Sequence, residues 1–412
     1  MKKTTKSESY QQSFSVVKDR VSEIRDLVAS QMQGAALILL NNLFKNEVEE
    51  LCGSVFSRKN GELCHRAGND PGSVILQGQR IRVQKPRVKG GDGEVPLTSY
   101  NALQDFDLLC DRIMAHMMSG VSTRKYDPLL DEITSSTGLK KSSVSKAFIM
   151  GSQQCLDELN SRDLSKHNFF SIMIDGLEIG RRTIIVAMGI TDKGKKIILG
   201  LREGDTENSV VVKDLLANVI ERGLPQEKTY LFVLDGSKAL KKAVVSTFGE
   251  NCFIQRCVRH KERNILKYLP KTHHGEFRRR WKLVHGSTTL ALATLEFKRL
   301  REWLKEINYE ALDSLEESGT ETLTVIELQA SKELRKSLLS TNPIESIIDM
   351  TKSSFTRVKN WKKGTNQIAR WVATALLEAE KKVRSVRGME SIQIVMMNME
   401  KKKQLQTQQG VA

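Results

Sequence analysis

The sequence predicts an α/β protein flanked by helical regions. Two largely apolar runs, Phe169 to Ile174 and Tyr230 to Leu234, have the length and content of buried strands, and each stops on an Asp-Gly pair. Helical periodicity lies on both sides of them. The third observation is charge: 65 Lys and Arg against 49 Asp and Glu in 412 residues give a net charge of +16. Such an excess suits a polyanionic partner, because each neutralised phosphate releases counterions. A composition of 39% hydrophobic and 28% charged residues is that of a globular chain with room for two or three domains.

Other classes fit poorly. The cysteines (Cys52, Cys64, Cys110, Cys155, Cys252, Cys257) are scattered without a CxxC pair, as in a reducing compartment. The N-terminus runs into polar residues with no apolar signal core, and the apolar stretch Gly34 to Leu40 is too short to span a bilayer. These features predict a cytoplasmic, nucleoid-associated protein with no membrane partner.

Residues 1–56 read as an N-terminal helical region. Val17, Val21, Ile24 and Leu27 share one stripe, and Leu37, Leu40, Phe44 and Val48 continue it. Residues 57–99 form a basic strand and loop segment. Within it, Gln79 to Lys89 partly alternates basic and apolar residues, so that Arg80, Arg82, Lys85 and Arg87 face phosphate or simply guard a charged edge strand. Residues 100–165 return to helix. Leu129 to Phe148 fits a helix-turn-helix: Gly138 turns, Ser142 or Ser143 caps, Val144, Ala147 and Phe148 pack inward, and Lys140, Lys141 and Lys146 face DNA. Two ordinary packed helices would give the same pattern.

From residue 168 the pattern is α/β. Strands at 168–175, 182–190 and 196–201 are joined by short Gly-containing links, as in antiparallel hairpins. A helix at 207–222, the strand ending at Asp235, a helix at 237–248 and a strand at 252–256 follow. This is the order expected of a ribonuclease-H-like sheet. If the first strand pairs with the fourth, Asp175 and Asp235 emerge side by side at the carboxyl edge, where α/β sheets place their sites. The catalytic domain is expected over 166–270 and 341–395. A helical insertion (271–340) carries apolar stripes that include Trp281, Leu300 and Trp303, and the polar tail at 396–412 is expected to fray.

A third acid, Glu345, stands in Thr341-Asn342-Pro343-Ile344-Glu345-Ser346. Carboxylates brought from two strand ends and a helix make an oxygen cage for hard divalent cations. Two Mg²⁺ ions roughly 4 Å apart, with Mn²⁺ as the expected substitute, can serve phosphodiester cleavage or joining. Each member also has an ordinary explanation. Asp-Gly is a common turn pair, and Asn342, Pro343 and Glu345 could be N-cap, N1 and N3 of a capping box. Glu327 and Asp349 are weaker candidates for the third acid.

Five segments carry a family resemblance. They are Ile174-Asp175-Gly176, Gly204 to Asn208, Leu234-Asp235-Gly236, Gln255 to Asn264 and Thr341 to Ser346, with Val83 to Lys89 as a looser sixth. Over roughly residues 50–385 the chain resembles the Mutator-type bacterial insertion-sequence transposases. The resemblance implies a DDE transposase whose ribonuclease-H-like domain is interrupted by a helical insertion. It places the catalytic, metal-holding acids on Asp175, Asp235 and Glu345, and so favours ligand over cap for Glu345. The family's Cys-x-x-His motif falls on Cys257 and His260.

The activity implied is binding of an element's DNA ends, Mg²⁺-dependent nicking and transfer of the 3′-OH to target DNA. Holding two ends implies a homodimer or larger assembly. Residues 256–282 hold ten Lys and Arg against two Glu, so Arg256, Arg259, His260 and Arg263 are expected DNA contacts. Cys257 is expected to be buried and to fix the turn. No second Cys pair accompanies Cys257 and His260, so no zinc is expected. Two rival functions share the same features: a DNA-binding regulator with an inert α/β domain, and a ribonuclease-H-like nuclease without joining activity.

Overall fold

In the computed structural model, residues 37–54, 64–76, 79–91, 93–103, 141–180, 182–204, 209–355, 358, 360–362 and 364–409 are described. Most of the expected helix-turn-helix, Lys140 included, lies outside them, as do the side chains of Arg80, Lys141 and Lys146. The described residues fall into two compact units that divide at Phe148 and Ile149.

The first unit contains a helix over 37–52 (α1), strands His65–Leu76 (β1), Gln79–Gly90 (β2) and Gly93–Val95 (β3), and helix Thr98–Ala102 (α2). The strands form an antiparallel sheet in the order β1-β2-β3. Leu40, Phe44, Val48 and Cys52 recur every fourth residue on α1 and are all buried, as one face of a helix requires. Val74, Val83 and Val88 meet them from the sheet. Glu47 caps α2, its carboxylate accepting from the Thr98 and Ser99 amides (2.6 and 3.1 Å). The basic segment is therefore β2. Arg82 is exposed, whereas Lys85 pairs with Glu94 (3.6 Å) and Arg87 with both Asp70 and Glu94 (3.3 Å each).

Helix Lys141–Ser161 (α3) leads to the second unit. Its sheet comprises Phe169–Ile179 (β4), Arg182–Thr191 (β5), Lys196–Gly204 (β6), Tyr230–Leu234 (β7) and Cys252–Arg256 (β8), in the order β6-β5-β4-β7-β8. β4, β5 and β6 are antiparallel neighbours; β7 runs parallel to β4, and β8 parallel to β7. Helices Ser209–Glu221 (α4) and Lys238–Phe248 (α5) bury Val212, Leu216, Leu240 and Val244 against Ile172, Ile174, Phe232 and Leu234. Alternate strand residues point to opposite faces, so Met173, Asp175, Leu177 and Ile179 share the other face of β4.

Six described helices follow β8: Val258–Leu266 (α6), His274–Gly286 (α7), Leu290–Ile307 (α8), Tyr309–Glu317 (α9), Thr324–Glu327 (α10) and Lys332–Leu338 (α11). They have a core of their own around Phe277, Trp281, Leu300 and Leu304. Buried Gln255 ties this core to β8, its side-chain nitrogen reaching the Thr322 carbonyl (3.0 Å) and its oxygen the Val325 amide (2.9 Å). Asn342–Ser353 (α12) and Gln367–Lys382 (α13) then pack on β4 and β6 respectively.

Two expectations need correction. β4 does not stop at Asp175; it continues to Ile179, and Asp175 pairs with Val186. The polar tail is helical over its described residues: Ile392–Gln409 is a helix (α14) that buries Ile392, Val395 and Met399. It is pinned by Asn398 to the Leu328 carbonyl (3.0 Å) and by Lys402 to Glu327. The alternative reading of Glu345, as part of a capping box on α12, is not met. Thr341 is the N-cap residue, the Asn342 amide donates to Ser340 Oγ (3.4 Å), and Glu345 turns its carboxylate elsewhere.

Candidate catalytic site

Pairing between β4 and β7 sets the two aspartates. Ser171, Ile172 and Met173 stand opposite Leu231, Phe232 and Val233, an offset of 60 that puts Asp235 opposite Asp175 two residues further on. Pairing of Leu234 with Arg256 on β8 brings Cys257 level with Asp235 in the same way, and the Cys257 amide donates to the Leu234 carbonyl (2.7 Å). Asp175 within β4, Asp235 just past the end of β7 and Cys257 just past the end of β8 thus fall level with one another on three neighbouring chain segments.

Each aspartate is held locally. Asp175 Oδ1 accepts from the Gly176 amide and Asp235 Oδ1 from the Ser237 amide, both at 2.8 Å. The chain turns sharply at Gly236, whose φ of 110° is open to glycine. A Cβ there would also collide with the Arg256 guanidinium. Ser237 then accepts from the Leu240 amide (3.5 Å) and caps α5.

Burial pushes the Asp175 carboxyl up to about 7; the Gly176 amide opposes this, and the nearby Asp235 and Glu345 add to it. Two like charges beside a desolvated carboxylate disfavour its ionisation. Burial is the larger cause of the shift, and the two neighbouring acids reinforce it.

Glu345 arrives from α12, which packs on β4. Thr341, fully buried, donates its hydroxyl to Glu345 Oε1 and lies 3.4 Å from both Cys257 Sγ and His260 Nδ1. Its amide also faces Cys257 Sγ (3.5 Å). Among the described residues, Cys257, His260 and Glu345 are the group whose donor atoms could gather on a metal, all within 4.8 Å of one another. The Thr341 hydroxyl stands among these three donors. A hydroxyl has one proton; with that given to Glu345, its lone pairs remain for the histidine or the thiol.

Cys257 is buried at the head of α6, and His260 is 30% exposed with Nδ1 3.9 Å from Glu345 Oε1. The cysteine thus occupies the inner place and the histidine the outer, as their spacing after β8 predicts. Burial raises the Cys257 thiol pKa, but hydrogen bonds from His260 and Thr341 outweigh it and leave the pKa lowered. The hydrogen bond to Cys257 raises the His260 pKa against burial, helped by the charges of Cys257, Glu345 and Asp235.

The remaining expected contact residues divide. Arg259 and Arg263 are exposed on α6. Arg256 is only 6% exposed, packs beneath Gly236 and pairs with Glu317 (3.2 Å), which also binds buried Lys261 (2.8 Å). It braces the turn after Asp235 and does not face solvent. The weaker acid candidates stand elsewhere: Glu327 pairs with Lys402, and Asp349 is exposed on α12. Thr341 has no role that its local sequence could reveal, because its partner Cys257 lies 84 residues upstream.

The fold is a mixed α/β sheet with Asp175 and Asp235 on neighbouring parallel strands and Glu345 on the helix packed on β4. The chain belongs to the Mutator family of transposases, whose sequence profile matches residues 4–384. It is similar to the transposase for insertion sequence element ISRM5 of Rhizobium meliloti (strain 1021), 24% identical over 79% of this chain and 82% of that one. It is also similar to the transposase for IS905 of Lactococcus lactis subsp. lactis (strain IL1403), 24% identical over 65% of this chain and 68% of the relative. The transposase for IS6120 of Mycolicibacterium smegmatis is 28% identical over 38% of this chain and 50% of its own. Among the described residues no helix is long and apolar enough to cross a membrane.

Proposed function

We propose that this transposase binds the DNA ends of an insertion sequence, cleaves a strand at each and transfers the freed 3′-OH to target DNA, with Asp175, Asp235 and Glu345 as its catalytic acids. The observation that carries the reading is their convergence: Asp175 comes from within β4, Asp235 from the end of its parallel neighbour β7 and Glu345 from the helix packed across β4, and the charges of Asp235 and Glu345 both bear on Asp175. Strand order β6-β5-β4-β7-β8, with three antiparallel strands followed by two parallel ones, supports a ribonuclease-H-like catalytic domain over 166–270 and 341–395. Residues 271–340 are its helical insertion, and the segments at 1–56, 57–99 and 100–165 serve DNA binding.

The donor set fits a hard divalent cation. It consists of partly exposed carboxylate oxygens, and the charges of Asp235 and Glu345 add to the burial that raises the Asp175 pKa, a repulsion that a cation relieves. Mg²⁺ held by these carboxylates, or Mn²⁺ in its place, would activate an attacking water or 3′-OH and stabilise the departing oxygen. The chain's own part is positioning. The Gly176 and Ser237 amides fix the aspartates, and Thr341 fixes Glu345. His260, on the outer side of this cluster, offers an imidazole to the DNA backbone, and exposed Arg259 and Arg263 extend the basic face of α6. With the Thr341 hydroxyl among Cys257, His260 and Glu345, that group needs no zinc to hold it together. Two ends joined in one reaction call for a homodimer or larger assembly.

A strand-transfer assay with a pre-cleaved DNA end tests the reading. Joined product that depends on Mg²⁺ supports a transposase of this mechanism. Cleavage without joining would assign a nuclease, and binding without either would assign a regulator.

A further inference from the structure

The elements that deliver Asp175 and Glu345 meet a second time. β4 runs on from Asp175 to Ile179, and the chain beyond α12 returns past the end of that strand. Between them lies a cavity of about 570 Å³ whose wall includes Ile179, Arg182, Asn360, Trp361, Lys362 and Ile368. Trp361 is half-exposed, and its ring stands edge-on to Phe355 (5.9 Å, 86°) and Trp371 (6.2 Å, 89°). It is therefore held in a fixed orientation. Gly180, at a φ of 62°, adds no side chain on the strand side of the ring.

The cavity is basic. Arg182 pairs with Glu203 at 3.2 Å, so the exposed Lys362 leaves the wall net positive. Its loop is pinned, with the Lys362 amide donating to Gln367 Oε1 (2.9 Å) and Thr365 donating to the Lys362 carbonyl (3.1 Å). From Met350 to Leu377 the sequence has six Lys and Arg and no Asp or Glu.

We propose that this cavity takes one unstacked nucleotide of the substrate DNA, a few nucleotides from the scissile phosphate, with its base on Trp361 and its phosphate on Lys362. The inference rests on the assignment of Asp175 and Glu345 to the cleavage site. From Asp175 to Ile179 is four residues of strand, about 13 Å, or roughly four nucleotides of duplex rise. An aromatic ring beside a cation binds any base through its π-face and so needs no particular sequence. A base still stacked in the duplex cannot lie on Trp361, so the nucleotide must leave the stack, as it does where a protein extrudes it or where strands are already parted.

The test uses a short oligothymidine strand carrying one 2-aminopurine, whose fluorescence falls when it stacks on an aromatic ring. The parent protein is expected to quench it. Trp361→Leu, which keeps apolar packing on Phe355 and Trp371, should abolish the quench and weaken binding at least about fivefold. Trp361→Phe should retain most of both. Lys362→Ala, an exposed change that disturbs no packing, should keep the quench, weaken binding and reduce the salt slope by about one. No quench by the parent, an undiminished quench in Trp361→Leu, or unchanged affinity and salt slope in Lys362→Ala would overturn the proposal. Asp175→Asn should lose cleavage but quench like the parent. An Asp175→Asn protein that still cleaves would overturn the catalytic assignment instead, so the two failures read apart.

Discussion

The hydroxyl of Thr341 donates to Oε1 of Glu345, while the Thr341 carbonyl receives the Glu345 amide at 2.9 Å. One buried residue therefore fixes both the backbone and the carboxylate of the third acid. A hydrogen bond to a charged group is worth about 1.5–3 kcal/mol. Thr341→Val keeps the shape and removes the hydroxyl, and is expected to slow single-turnover cleavage roughly tenfold or more. It should also raise the Mg²⁺ concentration needed, with DNA-end binding unchanged in a gel shift. Thr341→Ser should restore most of the rate. A valine variant with the parent's rate and Mg²⁺ dependence would separate Thr341 from the site.

Burial of Asp175 beside two further acids predicts a pH effect on the metal-free protein. The Asp175 carboxyl rises from an ordinary 3.8 to about 7 on folding, so the folded state holds its proton more tightly. The resulting stability is complete below about pH 3.8 and is lost as pH rises through 7. Asp175→Asn removes the charge and should raise Tm in EDTA at pH 8, and by much less at pH 5. Added Mg²⁺ should raise the parent's Tm at pH 8 more than the variant's. Thermal melts across pH check this; equal differences at both pH values would contradict it.

The C-terminal helix predicts a loss of stability on truncation. Ile392, Val395 and Met399 are buried, each contributing about 1.5–3 kcal/mol. Ending the chain after Ser391 should lower Tm by at least about 5 °C. A truncated protein that melts like the parent would restore the reading of this segment as a frayed polar tail.

Cys257 and His260 predict a division of labour. His260→Ala should lower cleavage more than end binding, with the fold intact. Cys257→Ser should be milder, because a hydroxyl can take the sulfur's place beside Thr341. Metal analysis of the purified protein should find no stoichiometric zinc. One zinc per chain, lost in both variants, would make this a structural metal centre.

Much of the five-stranded sheet that carries Asp175 and Asp235 is legible in the sequence because its signals are local. The runs into Asp175 and Asp235 are apolar and bounded by glycine, and strand and helix alternate in a way that few sheets satisfy. What escapes depends on distant partners. Asn342-Pro343-Ile344-Glu345 spells a capping box, yet Thr341 draws Glu345 toward Cys257 and His260, about eighty residues upstream. Arg256 reads as a basic strand end facing DNA, but Glu317 of the helical insertion draws it inward. The tail reads as polar because only a narrow stripe of it, Ile392, Val395 and Met399, is needed to dock a helix. Trp361 lies in a short basic stretch whose meaning appears only when it stands beside the end of β4.

The central claim is that Asp175, Asp235 and Glu345 act together on DNA through divalent metal. The most direct measurement is single-turnover cleavage of a labelled element end by the parent and by Asp175→Asn, Asp235→Asn and Glu345→Gln in Mg²⁺, with end binding measured on the same preparations. Each variant is predicted to lose at least about a hundredfold in cleavage rate while binding within about twofold of the parent. Glu345→Gln is the sharpest of the three, since it keeps the length and hydrogen-bonding capacity of the side chain and removes only its charge. Cleavage by any one of them at the parent's rate, with Mg²⁺ as the only divalent cation, would contradict the account.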